Sequence, residues 1–157
     1  MTIFMYPTVD EDQIKEFITD PLLWALTHGD EDPKLWNPEF ATKKYMLIRK
    51  ATGEVSSDVG IIEYYPFNDK VVTAHYYISP RYWGSKIGVA ATLEGINYLK
   101  SHTGYTSALA KVGKPHYQVQ VMLKELGFDC IGRLKDAVTV NKEVTDLFLF
   151  QLNFTKE

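Results

Sequence analysis

The sequence predicts an α+β fold: a mixed, mostly antiparallel sheet with helices flanking it. Three observations lead there. Three β-branched and aromatic runs follow one another at residues 45–49, 59–65 and 71–78, separated by the turn signals Thr52-Gly53 and Asn68-Asp69, and read as a meander. A stretch with helical spacing then divides the third run from a fourth at 107–112. A strand–helix–strand connection of that length implies one parallel pair inside the otherwise antiparallel sheet. Two further apolar runs, 128–134 and 145–152, close the chain as a strand pair.

Each remaining element has its own local reason. Residues 3–6 form a short strand ended by Pro7. Asp10 can cap a helix whose stripe is Ile14, Phe17 and Ile18. Asp20 with Pro21 at the first helical position opens a second helix carrying Leu22, Leu23, Trp24 and Leu26. Residues 28–40 are polar, acidic and broken by prolines, and read as an exposed loop around Trp36. Across residues 88–100 the positions Val89, Thr92, Leu93, Ile96 and Leu99 fall on one helical face. Pro115 starts a last helix with Val119, Met122, Leu123 and Leu126 on its apolar side, and Gly127 ends it.

Composition narrows the class. With 157 residues, 45% of them apolar and 24% charged, the chain reads as a single globular domain over residues 1–157. No run approaches the roughly 18 apolar residues of a membrane span, and no basic flank precedes an apolar N-terminal stretch. The single cysteine, Cys130, excludes an internal disulfide and fits a reducing compartment, so a cytoplasmic location is expected. Its apolar neighbours mark Cys130 as a core residue. The four histidines are scattered, without the spacing of a metal site. A net charge of −3 argues against a dedicated nucleic-acid binder. The charge is unevenly spread: residues 1–40 carry 2 basic and 9 acidic side chains, residues 79–117 carry 5 basic and one acidic. Such an arrangement suits an anion-binding half beside a half that receives a cation.

The chemistry concentrates in Ile78-Ser79-Pro80-Arg81-Tyr82-Trp83-Gly84-Ser85-Lys86-Ile87-Gly88-Val89-Ala90. A strand enters a glycine-containing turn and then a helix with no acidic residue in its first turn. That junction gathers unpaired backbone N–H groups and the positive end of a helix dipole, which is what a phosphate requires. The spacing does not match the dinucleotide or P-loop fingerprints.

This segment resembles the acyl-CoA binding loop of the GNAT acetyltransferase superfamily, and its Pro-x-x-Trp-Gly form is similar to the branch that acetylates ribosomal-protein N-termini. Lys124-Glu125-Leu126-Gly127-Phe128 resembles the family's last helix end, and the order of elements agrees over nearly the whole chain. The resemblance implies a splayed parallel strand pair with acetyl-CoA between the strands. Gly84, Ser85, Lys86, Ile87, Gly88 and Val89, with Trp83 opening the turn, would hold the pyrophosphate. Tyr77, Ile78 and Ser79 would pair with the pantetheine arm, and an N–H near Ile78 would polarise the thioester. His116 would touch the pantetheine or thiol.

The resemblance further implies direct attack by a primary amine: a peptide N-terminus, a lysine or a small polyamine. Glu63 and His75 are the candidate bases, and Tyr117 could reach the thiol. The aromatics Tyr64, Tyr65, Phe67, Tyr76, Tyr77, Tyr82 and Trp83 would line the cleft, and Asp30-Glu31-Asp32 would frame a cationic acceptor. A homodimer is compatible with this reading.

Three departures stand out. Trp83 replaces a basic or Gln residue, and Leu123 replaces a tyrosine that protonates the leaving thiolate. Lys86 replaces a glycine, which in a left-handed conformation would cost about 1–2 kcal/mol. They support a second expectation, a GNAT-fold chain without catalysis that acts as a binding or assembly component, as in divergent phage-encoded members.

Overall fold

The computed structural model describes residues 1–154, apart from the side chain of Leu26, which leaves that member of the second helix's stripe outside the described residues. The elements are β1 (Thr2–Pro7), α1 (Glu11–Ile18), α2 (Pro21–Thr27), β2 (Lys44–Thr52), β3 (Val55–Pro66), β4 (Val71–Ile78), α3 (Lys86–His102), β5 (Ser107–Gly113), α4 (Tyr117–Glu125), β6 (Asp129–Val140) and β7 (Glu143–Asn153). They build one seven-stranded sheet in the order β1-β2-β3-β4-β5-β7-β6. Among the described residues only β4 and β5 run parallel; every other neighbouring pair is antiparallel.

Strand alternation assigns the two faces. Ile61, Glu63 and Tyr65 of β3 lie opposite Tyr77, His75 and Thr73 of β4 and share one face. There Ile14, Ile18, Leu23 and Trp24 of α1 and α2 pack on Tyr45, Leu47, Ile61 and Tyr77. The other face carries the larger core, in which Ile62, Tyr64, Val72 and Ala74 meet Ala91, Ile96 and Leu99 of α3 and Leu123 of α4. The carboxylates of Asp10 and Asp20 accept from backbone amides of the first turns of α1 and α2, as their cap positions predict.

Three expectations need correction. The face α3 turns to the sheet is Gly88, Ala91, Thr92, Gly95, Ile96 and Leu99; Val89 and Leu93 stand exposed. The helix lies so close that a Cβ at Gly95 would stand 2.0 Å from Ile62 Cδ1, so small residues occupy the contact. Cys130 is exposed, because β6 is an edge strand with little covering it. Trp36, read as the middle of an exposed loop, packs against the α1–α2 cluster, with its ring centroid 6.3 Å from that of Trp24.

Candidate active site

The sheet opens where the parallel pair of β4 and β5 ends. β4 and β5 share three register pairs, Val71–Ser107, Val72–Ala108 and Thr73–Leu109, and then part. The Phe67 N–H donates to the Val71 carbonyl and the Ser79 N–H to the Val59 carbonyl, each at 2.8 Å. Odd-numbered residues of β4 therefore turn their backbone groups to β3, and even-numbered ones turn theirs to the β5 side. Beyond Thr73 this directs the backbone edges of Tyr76 and Ile78 into the parting, whereas Tyr77 and Ser79, expected to meet the pantetheine arm, turn theirs to β3, with the Ser79 N–H already on Val59. At its base the Thr73 hydroxyl is buried without a hydrogen-bond partner among the described residues.

The turn at the mouth is built by Gly84 and Ser85. Gly84 has φ +68 and open space where a Cβ would stand. Ser85 caps α3: its Oγ accepts from the Gly88 N–H at 3.2 Å and donates to the Tyr82 carbonyl at 2.6 Å. The Ser85 N–H donates to the Tyr82 carbonyl and the Val89 N–H to the Ser85 carbonyl, so the amides of Ser85, Gly88 and Val89, three of the six residues expected to hold the pyrophosphate, already have partners. Lys86 and Ile87, first and second in the helix, have amides with no intrahelical acceptor. Lys86 is absent from the positive-φ residues, so it stands in place of a glycine without left-handed strain, and its side chain is exposed. The Trp83 indole N–H donates to the Ile78 carbonyl at 2.7 Å.

On the face covered by α1 and α2, Glu63 and His75 are direct cross-strand partners. Glu63 is 2% exposed; its Oε2 accepts from the Tyr45 hydroxyl at 2.8 Å and its Oε1 lies 3.6 Å from Lys43 Nζ. Burial pushes its carboxyl above the usual range, against the opposing pull of the Lys43 ammonium. His75 Nε2 lies 3.3 Å from the Tyr65 hydroxyl. Burial lowers His75 to about 4, helped by the positive charges of Lys43 and Lys111, so the ring is neutral at pH 7. His28 stacks on Trp24 at 4.0 Å between centroids and lies 6.3 Å from Tyr77; burial and then Lys43 lower it, too, to about 4.

The structure thus gathers Glu63, His75 and Tyr77 into one cluster. His116 is half-buried at the N-terminus of α4, on the β5 side of the parting, and burial lowers it. Tyr117 follows it and is 72% exposed. Of the aromatics expected around the cleft, Tyr65 and Tyr77 share the cluster's face, Tyr64 and Tyr76 point to the other, and Phe67 is exposed. Leu123 is core. The acidic loop is engaged elsewhere: Asp30 accepts from the Lys142 N–H at 2.6 Å and Asp32 from the Lys34 N–H at 2.9 Å. Lys43 and His28 carry no sequence signal and reach the site because residues 28–43 fold back over it, whereas Tyr45, in the first strand of the predicted meander, meets Glu63 as its direct cross-strand partner on β2.

Comparison with solved structures agrees with this architecture. A spermidine N-acetyltransferase from Vibrio cholerae, in complex with CoA and spermine, superposes with a TM-score of 0.81 at 13% identity, over 98% of this chain and 96% of that one. A domain from Methanocaldococcus jannaschii does so with a TM-score of 0.72 at 15% identity, over 97% and 98%. At such identities the likeness establishes the fold. No curated protein matches the chain. The profile of the acetyltransferase (GNAT) family matches residues 11–128, well over half of the 157, and the chain belongs to that family.

Proposed function

We propose that the chain is an N-acetyltransferase that moves an acetyl group from acetyl-CoA to a primary amine by direct attack in a ternary complex. Acetyl-CoA is the acyl donor of the family. The observation that carries the reading is the parting of β4 and β5 beyond Thr73, with the Gly84 turn at its mouth and the neutral His75 imidazole on its wall. The residues present fit such a donor. The amides of Lys86 and Ile87 and the Lys86 ammonium suit its phosphates, and the backbone edges of Tyr76 and Ile78 suit a pantetheine amide. The Ile78 N–H would face the thioester oxygen as negative charge builds there.

The amine nitrogen forms a bond to the carbonyl carbon, the carbon–sulfur bond breaks, and CoA leaves as thiolate. The nitrogen becomes strongly acidic only as the new bond forms. A weak base such as His75 can then take its proton, with the Tyr65 hydroxyl orienting the ring. Glu63 is the second candidate, held by Tyr45 and Lys43. The same corner already accommodates an ammonium: Lys43 Nζ lies 3.3 Å from Glu39, 3.6 Å from Glu63 and 5.0 Å from the centroid of the Tyr65 ring. This supports a cationic acceptor, and the spermine bound to the V. cholerae neighbour makes a polyamine the first amine to test, ahead of lysine and N-terminal peptides.

The test is calorimetric titration with acetyl-CoA, followed by thiol release with spermidine, a lysine peptide and a free N-terminal peptide. Saturable binding that Gly84→Asp abolishes, with turnover of one amine, is the expected result. Absence of binding at near-millimolar ligand overturns the proposal. Binding without turnover of any amine favours the non-catalytic reading. Among the bases, His75→Gln should lower kcat by about 100-fold and Glu63→Gln by less than about tenfold; the reverse order would exchange their roles.

A further inference from the structure

We infer that Trp83 is a positioning residue: its indole N–H occupies the Ile78 carbonyl and so leaves the Ile78 N–H as the backbone group aimed at the thioester oxygen. The inference rests on the acyltransferase reading above. Ile78 is an even-numbered residue of β4, so its N–H and C=O point to the same side, into the parting. A free carbonyl there would present partial negative charge beside the atom on which negative charge develops. The indole N–H, 2.7 Å away, takes up that carbonyl in place of the β5 strand that has diverged.

The choice of side chain matters. Indole is a donor with no acceptor, so it can satisfy the carbonyl and cannot compete for the Ile78 N–H. Trp83 is 37% exposed, so core packing does not by itself account for it. It also stands immediately before Gly84, the left-handed residue of the turn. The loop between is pinned at both ends, by the Ser79 N–H on Val59 and the Ser85 hydroxyl on Tyr82. One side chain thereby couples the turn proposed to hold the pyrophosphate to the N–H proposed to polarise the thioester.

The test needs no knowledge of the acceptor. Acetyl-CoA labelled with carbon-13 at the thioester carbonyl is titrated into the wild type and into Trp83→Phe, which keeps an aromatic ring and removes the donor. Wild type should bind and move the carbonyl resonance downfield. Trp83→Phe should lose affinity by less than about threefold while that shift falls by about half or more. An unchanged shift in Trp83→Phe overturns the inference, even if the variant melts earlier. Absence of binding to the wild type overturns the acyltransferase reading and this inference together. Should Trp83→Phe not fold, the wild-type indole proton decides: slow exchange with solvent and a shift on acetyl-CoA binding support the role, and exchange at the free rate overturns it.

Discussion

Glu63 and His75 face each other across β3 and β4, and burial acts on them in opposite directions. It raises the carboxyl and lowers the imidazole, in each case by penalising the charged form. His75 and His28, ordinarily near 6.5, are held at about 4. Their contribution to stability is complete above pH 6.5 and is lost as pH falls toward 4, with on the order of 3 kcal/mol at stake for the more deeply buried His75 and less for the more exposed His28, whose charge is better screened by solvent. Glu63 has the other sign: its raised pKa favours the fold while it is protonated, and that share is lost as pH rises through the folded value. Melting temperatures between about pH 4.5 and 8 should separate the two. His28→Asn should flatten the acid limb, whereas Glu63→Gln should raise the melting temperature at the alkaline end and change little at the acid end. Both candidate bases were legible from their places on adjacent strands. Their shifted protonation was not, because it depends on Tyr45, Lys43 and the α1–α2 cover, which the chain supplies from elsewhere.

The helix α3 shows why an element can be legible while its orientation is not. Helical spacing located it to within two residues of its start, yet bulk apolar residues occur on more than one side. Val89 and Leu93 belong to a row that faces outward, while Gly88, Ala91 and Gly95 lie against the sheet. Where backbones approach this closely, the contact selects for small size over hydrophobicity. Gly95→Ala, whose Cβ would stand 2.0 Å from Ile62 Cδ1, should destabilise the protein by about 1–3 kcal/mol in urea unfolding. Leu93→Ser, on the exposed row, should change stability by less than about 0.5 kcal/mol. The same logic applies to β6. Cys130 reads as core from its apolar neighbours, but at the sheet's edge it stays exposed, as do Ile131 and Leu134.

At the scale of the whole molecule the sheet is two antiparallel ladders joined by three register pairs. A second junction links the loop after α2 to the β6–β7 hairpin. Asp30 accepts from the Lys142 N–H at the tip of the β6–β7 hairpin, and Gly29, at φ +60, lies so near Thr139 that a Cβ would stand 2.2 Å from its carbonyl oxygen. A ligand seated between β4 and β5 would add a third connection. Acetyl-CoA at about 100 times its dissociation constant should therefore stabilise the fold by about 2.7 kcal/mol. The accompanying rise in melting temperature should vanish in Gly84→Asp, and its persistence there would move the ligand away from the turn.

The sequence by itself determined the strands, the helices, two of them with Asp caps, the parallel crossover and the glycine-containing turn before α3. Each of these rests on signals within a few residues: periodicity, capping, a glycine at a turn. The tertiary structure alone decided which face of α3 is buried and that Trp83 reaches Ile78. It also brought His28 and Lys43, from the segment ahead of β2, to Glu63 and His75. Those outcomes depend on how closely elements distant in the chain approach, and burial, proximity and protonation exist only once they have packed.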